Sequence, residues 1–477
     1  SRGDKNAVER WFREGHVGIL FSTSTLAWGV NLPARCVVIR DTKLHDPLEG
    51  EVDMSPLDVL QMLGRAGRPG YDDVGYGWVV CDASEADKYR RLLREGTEIE
   101  SRLAEDLPEH LNAEVAMGTL SGLDDVVDWL ETTFYYVRAE SAPERYDFGG
   151  LRDRVRDELD TLVERGFVAA GEDLSLSPTS LGTLTSKFYL RLPTAERFYD
   201  LAEGFDPEDA DPVPRDSDAD AVLRAVARAA EFDSVSARQS ERDAIDDAVG
   251  AHDMDPGARK VLAILRGGMR GSVPPELSSD AWVIRSNALR LLAALRAFCD
   301  RFAGAAAANL VSRLAARVEN GVGPDAAGLT AIDGVGPGRA SKLAQEGFTA
   351  PGDVHTATVE DLVAAGLSEG VAEQVVSNAR DLPVVRVDWG AFPDSIAPGE
   401  NEMREVAVTN DGGGARAGLR VTVNGREMTA KPSYLGEAAL PVAVFGADAD
   451  ELTFAVEVAF PALPLPPITE TRTVTIR

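Results

Sequence analysis

Apolar positions over residues 1–100 fall in short runs. "VGILFST", "CVVIRD" and "YGWVVCD" are rich in branched and aromatic side chains and lack strict alternation, which predicts buried parallel strands. Between the last two runs, Ser55 stands where a helix cap is expected. Pro56 follows at the first helical position, and Leu57, Leu60 and Leu63 continue the pattern. The stretch "VVIRDTKLHDPLEGEVDMSP" runs out and back around Asp46-Pro47 and Glu49-Gly50, so it reads as a β-hairpin or as a plain connecting loop.

The period changes further on. "LRDRVRDELDTLVERGFV" sets Leu151, Val155, Leu159 and Leu162 on one helical face and ends at Gly166, with two short strand-like runs behind it. Helix, glycine and β-ribbon in that order predict a winged helix. "FDPEDADPVPRDSDAD", residues 205–220, is acidic and proline-rich and reads as a linker or a solvated loop. Helical sequence follows to about 320. Residues 321–383 carry "IDGVGPGRASKL", a helix-hairpin-helix pattern, with "LVAAGLSEGVAEQVV" as a degraded second copy. From 384 the chain alternates as strands do, and Asn424-Gly425 marks a hairpin, which predicts a β-sandwich of immunoglobulin type. The fold class expected is multidomain, α/β plus α plus β. Its boundaries are 1–100, 101–204, 205–320, 321–383 and 384–477.

One predicted helix, about 276–302, is unusually informative. At about 100° per residue, Ile284, Ala288, Leu291, Leu295, Phe298 and Phe302 make a core stripe. Trp282, Ser286, Arg290, Ala293, Ala297 and Arg301 lie roughly opposite. Such a tryptophan either stacks a base, with Arg285 and Arg290 taking phosphates, or packs against a neighbouring helix. Residues 255–302 hold eight basic side chains against four acidic.

That local excess matters because the whole chain carries a formal charge of -30, with 79 Asp and Glu against 49 Lys and Arg. Lysine occurs only at positions 5, 43, 88, 187, 260, 342 and 431. An acidic, lysine-poor surface fits a halophilic source, where salt screens self-repulsion within about 3 Å at 1 M; an ordinary acidic cytosolic protein is the plainer reading. Net acidity argues against nucleic acid, so any such contact rests on local charge. Cys36, Cys81 and Cys299 are isolated and give neither a metal-ligand spacing nor a disulfide framework, which points to a reducing, cytoplasmic setting. No apolar run reaches 18 residues and no signal peptide opens the chain, so no membrane partner is expected. Ser1 falls inside the helix-like "DKNAVERWFREG", and the chain reads as a piece of something longer.

"QMLGRAGRPG", residues 61–70, places Arg65 and Arg68 in a glycine-bracketed loop coming off a helix. With "FSTSTLAWGVNLPA" at 21–34, it resembles motifs VI and V of superfamily 2 helicases, in wording nearest the Ski-like DExH group that includes the archaeal repair helicases. The resemblance implies that residues 1–100 are most of a second RecA-like domain, closing on ATP with Mg held by a first. Arg68 would be the arginine finger, with Arg65 and Gln61 beside it and Gly29 and Asn31 also on the nucleotide side. An always-charged, fork-shaped guanidinium suits a γ-phosphate. No G-x-x-x-x-G-K-[ST] phosphate loop or DExH box occurs in the chain, since "RDELD" lacks the histidine, so no ATP turnover is expected from these residues alone.

For the strand, the resemblance implies contacts from Ser22, Thr23, Ser24 and Thr25, and a duplex-separating role for the hairpin tip with Leu44, His45 and Pro47. By order along the chain, Trp282, Arg285 and Arg290 fall in a helical ratchet domain. In the helix-hairpin-helix, Gly334 and Gly336 would offer amides to a backbone phosphate, with Arg339 and Lys342 adding charge; scaffolding is the alternative. The expected partner is single-stranded or forked nucleic acid unwound 3′ to 5′, with DNA favoured and RNA possible. The β-sandwich tail is similar to that of spliceosomal DExH helicases and offers a surface for a protein partner. The rival reading is a non-catalytic scaffold with a vestigial helicase domain.

Overall fold

Ser55 opens the helix Pro56–Leu63 in the way its hydroxyl allows, accepting from the Asp58 amide at 3.1 Å, with Pro56 in the first turn. The computed structural model in which this is seen describes residues 2–22, 34–46, 50–68, 72–96, 99–173, 175–205, 216–250, 253–390, 392–446 and 449–477. These form two compact units, Ser1–Ser101 and Arg102–Arg477.

In the first unit the strands Cys36–Ile39 and Tyr76–Val79 pair in parallel, Cys36 opposite Tyr76 and Ile39 opposite Val79. Ile39, Met54, Val59, Tyr89 and Leu92 form a small core between this sheet and its helices. The segment after the first strand is a β-hairpin, Lys43–Asp46 paired antiparallel with Gly50–Asp53. Two expectations fail here. Val17–Ser22 form no strand, and Phe21 is 90% exposed. The two strands that do form are buried on one face only, because among the described residues helices cover the side of Ile39 and Val79, leaving Val38, Tyr76 and Trp78 exposed.

The second unit begins with helices Leu107–Met117, Leu123–Glu131 and Phe134–Ser141, then Leu151–Glu164. Leu151, Val155, Leu159 and Leu162 are all buried on that last helix, and Gly166 takes φ 78° just past its end. A ribbon, Val168–Ala170 with Leu176–Pro178, completes a winged-helix arrangement together with the helix Ser180–Lys187. Gly182 is required there, since a Cβ would meet Phe167 O at 2.1 Å.

A bundle of helices follows, Leu192–Glu203, Asp216–Ala227, Arg242–Val249, Pro256–Met269, Ser278–Phe302 and Ala305–Asn320. Residues 216–220, read from sequence as linker, already belong to the second of these, because Val222 and Val226 enter the core and carry the preceding turn with them. Pro256–Met269 is buried around most of its circumference, Lys260 included, and runs through the middle of the bundle.

Two helical hairpins lead to the tail. There, a five-stranded sheet of Arg426–Tyr434, Arg416–Val423, Glu451–Ala459, Ile468–Ile476 and Ser395–Ile396 faces a three-stranded sheet of Glu437–Phe445, Asn401–Asn410 and Val385–Asp388. Their inward residues, among them Leu419, Val421, Phe454 and Val456 from one and Val406, Val408, Leu440 and Val442 from the other, make one core. Asn424 and Gly425 turn the chain at φ 47° and 81°, as a tight hairpin requires.

The outer face of the larger sheet lies on the helix Ala305–Asn320. Gly418 is so close that a Cβ would meet that of Ala305 at 2.2 Å. Asn309, buried, donates to the carbonyls of Phe460, Leu463 and Leu465 at 2.9, 3.1 and 2.9 Å. Ser312 donates to Pro461 O at 2.7 Å. Among the described residues no helix is long and apolar enough to cross a membrane.

Candidate nucleic-acid interface

The arginine loop is built by backbone closure. After Leu63 the chain turns through Gly64, and Ala34 at the far side of the other motif donates to Arg65 O at 3.0 Å while Gly67 donates back to Ala34 O at 2.7 Å. Gly67 takes φ 95°. Gly75 passes so near that a Cβ there would lie 2.5 Å from Ala66 and Gly67 backbone atoms. The ends of the two motifs are therefore bonded to each other.

Arg68 leaves this loop with its side chain 47% exposed and grips Asp72, Nε to Oδ2 at 2.7 Å and Nη2 to Oδ1 at 2.9 Å. That side-chain hydrogen bond, with the Arg68 amide and charge behind it, lowers the Asp72 pKa to about 2 against the opposing effect of desolvation. Asp72 thus stays ionised and fixes the guanidinium fork. Gln61 is exposed on the preceding helix and Arg65 is half-buried. Among the described residues no group of three His, Cys, Asp or Glu side chains could hold a metal ion. Thr23, Ser24, Thr25, Gly29, Asn31 and Pro47 lie outside the described residues; Ser22 borders them and is exposed. Leu44 and His45 fall in the outgoing strand of the hairpin, Leu44 exposed.

On the long helix Ser278–Phe302, Ile284, Ala288, Leu291, Leu295 and Phe298 are fully buried. Trp282, Ser286 and Arg290 are exposed at successive four-residue steps. Trp282 shows 71% of its surface, so the reading that packs it against a neighbouring helix does not hold. Arg290 donates to Asn287 Oδ1 at 3.2 Å and to Phe188 O of the winged helix at 2.8 Å. Arg285 lies half-buried over Gly268.

The basic excess counted over residues 255–302 is only partly a surface property. Arg259 pairs with Asp246, Arg266 with Asp220, and Lys260 is sealed in the core between Glu241 and Asp280. Of the others, Arg270, Arg290 and Arg301 are exposed and Arg285 and Arg296 half-buried.

In the first helical hairpin, Gly334 turns at φ 83° and Pro337–Gln345 follows, capped at Gly336. Among the described residues the amides of Gly336 and Gly338, at the start of this helix, find no backbone acceptor outside it, and Arg339 Nη1 holds Gly334 O at 2.5 Å. The degraded second copy folds as its counterpart, Val359–Ala364 then Glu369–Ala379, with Gly366 at φ 90°. The two turns share one cleft of about 400 Å³ lined by Gly336, Arg339, Lys342, Gly366 and Ser368.

The position of Tyr189 is not legible in the sequence. It follows the helix Ser180–Lys187, is 88% exposed, and lies beside the carbonyl that Arg290 holds. Only the doublet Phe188-Tyr189 next to a lysine hints at it.

An arginine loop in a parallel-stranded unit, a winged helix, a helical bundle with paired helical hairpins and a two-sheet tail follow one another along the chain, and three domain models match it in that order. The Sec63 Brl domain model matches residues 178–465, more than half of the chain, and the chain belongs to that family. A winged helix-turn-helix domain model matches residues 100–177 and a helicase conserved C-terminal domain model residues 1–70. The chain is 33% identical over 320 residues to activating signal cointegrator 1 complex subunit 3 of Mus musculus, covering 62% of this chain and 14% of that protein. It is 34% identical over 257 residues to the Danio rerio protein of the same name, covering 51% and 16%. It is 35% identical over 256 residues to the DExH-box ATP-dependent RNA helicase DExH12 of Arabidopsis thaliana, covering 51% and 11%. The match thus spans under a fifth of each relative's length. A solved CARDB domain from Pyrococcus furiosus aligns with 20% of this chain and 94% of its own at 21% identity, with a TM-score of 0.18, too low to inform the fold.

Proposed function

We propose that this chain is the strand-tracking part of an ATP-dependent 3′ to 5′ nucleic-acid helicase of the archaeal repair type. It supplies the arginine finger Arg68, the separating hairpin around Leu44 and His45, and a ratchet surface on the long helix. The observation that carries this reading is the exposed row Trp282, Ser286 and Arg290 on a helix otherwise given to the core. Exposing an indole to water on a helix with so much buried surface gives the fold nothing, whereas stacking on a base returns roughly 1 to 3 kcal/mol. Stacking and phosphate contacts do not require a 2′-hydroxyl, so the row serves DNA and RNA alike. DNA is the proposed substrate, and the name of the Arabidopsis relative makes RNA the comparison to run.

Arg68 supports the nucleotide half of the proposal. It is held by Asp72 in one orientation on a loop bonded to the neighbouring motif, and an arginine delivered to a γ-phosphate is worth about 10³ to 10⁵ in rate. The direct test uses a protein in which this chain is joined to a phosphate-loop domain. Arg68→Ala should abolish ATP turnover while leaving single-strand affinity intact, and full turnover in that variant would reject the finger. Trp282→Ala should weaken binding to oligothymidine about tenfold in molar KCl. Equal binding of wild type and variant to both DNA and RNA strands would reject the ratchet surface and favour the scaffold reading.

A further inference from the structure

Tyr189 ends the helix Ser180–Lys187 in a Schellman turn. Leu190 N donates to Thr185 O at 3.0 Å and Tyr189 N to Ser186 O at 3.1 Å, which puts Tyr189 at the position that usually takes glycine. Its φ is 51°. Among the described residues, the other non-glycine residues in this region are Asp147 and Asn424, whose short polar side chains tolerate it. A bulky aromatic does not, and strain of this kind gathers at functional sites. The ring is not compensated by packing, because the residue is 88% exposed. Local stability and solvation both argue for glycine at this place, yet the chain holds a tyrosine.

Its surroundings say what the ring is for. The carbonyl just before it, Phe188 O, accepts from Arg290 Nη1 at 2.8 Å, so the tyrosine sits at the end of the row formed by Trp282 and Arg290. Eight residues of helix separate those two, a span of about 12 Å. Lys187, one of few lysines in the chain, is exposed on the other side. Lys187, Arg285 and Arg290 have no ion pair among the described residues, although acidic side chains outnumber basic ones, 79 to 49, and neighbouring arginines such as Arg259 and Arg266 are paired. Two exposed aromatic rings interleaved with unpaired cations on an acidic protein are complementary to a single strand, bases to rings and phosphates to cations.

We infer that Tyr189, on the winged helix, is a second base-stacking platform that extends the strand track from Trp282 past Arg290, with Lys187 taking a phosphate. The inference rests on the strand-facing reading of the Trp282 row. It assigns the winged helix a direct part in holding the strand, and it explains the left-handed tyrosine as stability given up for binding.

The test compares Tyr189→Gly, Tyr189→Phe, Lys187→Ala and Trp282→Ala in the full chain, using fluorescein-labelled oligothymidine for affinity and thermal melting for stability. Tyr189→Gly should bind about tenfold more weakly while melting at the same or a higher temperature, and Tyr189→Phe should bind as wild type. The loss in Tyr189→Gly should persist from low to molar KCl, whereas that in Lys187→Ala should shrink as salt rises. Wild-type binding by Tyr189→Gly, or weaker binding accompanied by a lowered melting temperature, overturns the assignment. If Trp282→Ala loses affinity and Tyr189→Gly does not, this inference fails alone and the tyrosine belongs to a protein partner. If neither loses affinity, the strand-facing reading fails with it.

Discussion

Lys260 Nζ stands 2.6 Å from Asp280 Oδ2, and both side chains are almost wholly withdrawn from solvent. The same ammonium reaches Glu241 at 2.9 Å and Ser236 O at 3.2 Å, and Arg238, 3.4 Å from Asp280 and 3.7 Å from Glu241, is the second cation of the cluster. The cluster ties the helix Pro256–Met269 to the first turn of the helix that displays Trp282 two residues later. Lys260→Met should destabilise the chain by about 3 to 5 kcal/mol in urea unfolding, because it leaves two buried carboxylates with only the more distant, partly exposed Arg238. Burial alone would raise the Asp280 pKa, but the Lys260 hydrogen bond and charge overcome it and hold the value below 3.8. A depressed acid stabilises the fold above its unfolded pKa, so this contribution is lost as pH falls from about 4 through the folded value. Acid unfolding of wild type should steepen there, and that component should be smaller in Lys260→Met, where Arg238 alone faces Asp280.

Glu457 should give the opposite pH dependence. Its register partner across the sheet is Arg420, 3.9 Å away, which is itself engaged at 2.8 Å by Glu427. Among the described residues both Glu457 oxygens lack a hydrogen-bond donor, and burial pushes the pKa to about 7 despite Arg420. A raised acid stabilises the folded state at low pH, and that stability is lost as pH rises from the unfolded value of 4.5 through 7. Glu457→Gln should therefore be more stable than wild type at pH 8 by roughly 1 to 3 kcal/mol, with the difference vanishing near pH 5. Urea midpoints at the two pH values provide the check.

Gly75 is a construction constraint on the arginine loop. Its α-carbon faces the backbone of Ala66 and Gly67, where a Cβ would fall at 2.5 Å, and neither chain segment can step aside without breaking the bonds to Ala34. Gly75→Ala should cost the first unit about 1 to 3 kcal/mol. Amide hydrogen exchange should quicken at Gly67, whose amide is bonded to Ala34 O; unchanged protection there would count against the clamp.

At the tail, Asn309→Leu removes one side chain and leaves three carbonyls without their donor. The loss should be about 2 to 4 kcal/mol, more than a single exposed hydrogen bond would give, since each unsatisfied buried acceptor carries its own desolvation cost. Limited proteolysis between residues 459 and 468 should accelerate in the variant.

Legibility from sequence followed how local each cause was. Ser55, Gly166 and Asn424-Gly425 act within a turn of themselves, and each does in the structure what its residue type dictates. The buried stripe of the long helix was readable because a single period runs through 25 residues. Val17–Ser22 and the exposed sheet face were misread because an apolar run does not state whether a neighbour covers it. Lys260 and Arg266 were counted as surface charge because their carboxylates lie tens of residues away in sequence. Tyr189 escaped because its significance comes from a backbone angle and from a contact with Arg290 about a hundred positions downstream. Of the candidate site, the arginine loop, the exposed tryptophan and the first helical hairpin were accessible, and the winged-helix contribution was not.

Asn309 also bears on mechanical behaviour. Three carbonyls of the tail segment converge on one amide of the helix that follows directly on the Trp282 helix, across Gly304. A rotation of that helical pair would carry the sheets with it as a lever arm. A fluorophore on the outer strands would then move whenever the helices do, many ångströms from any strand they hold.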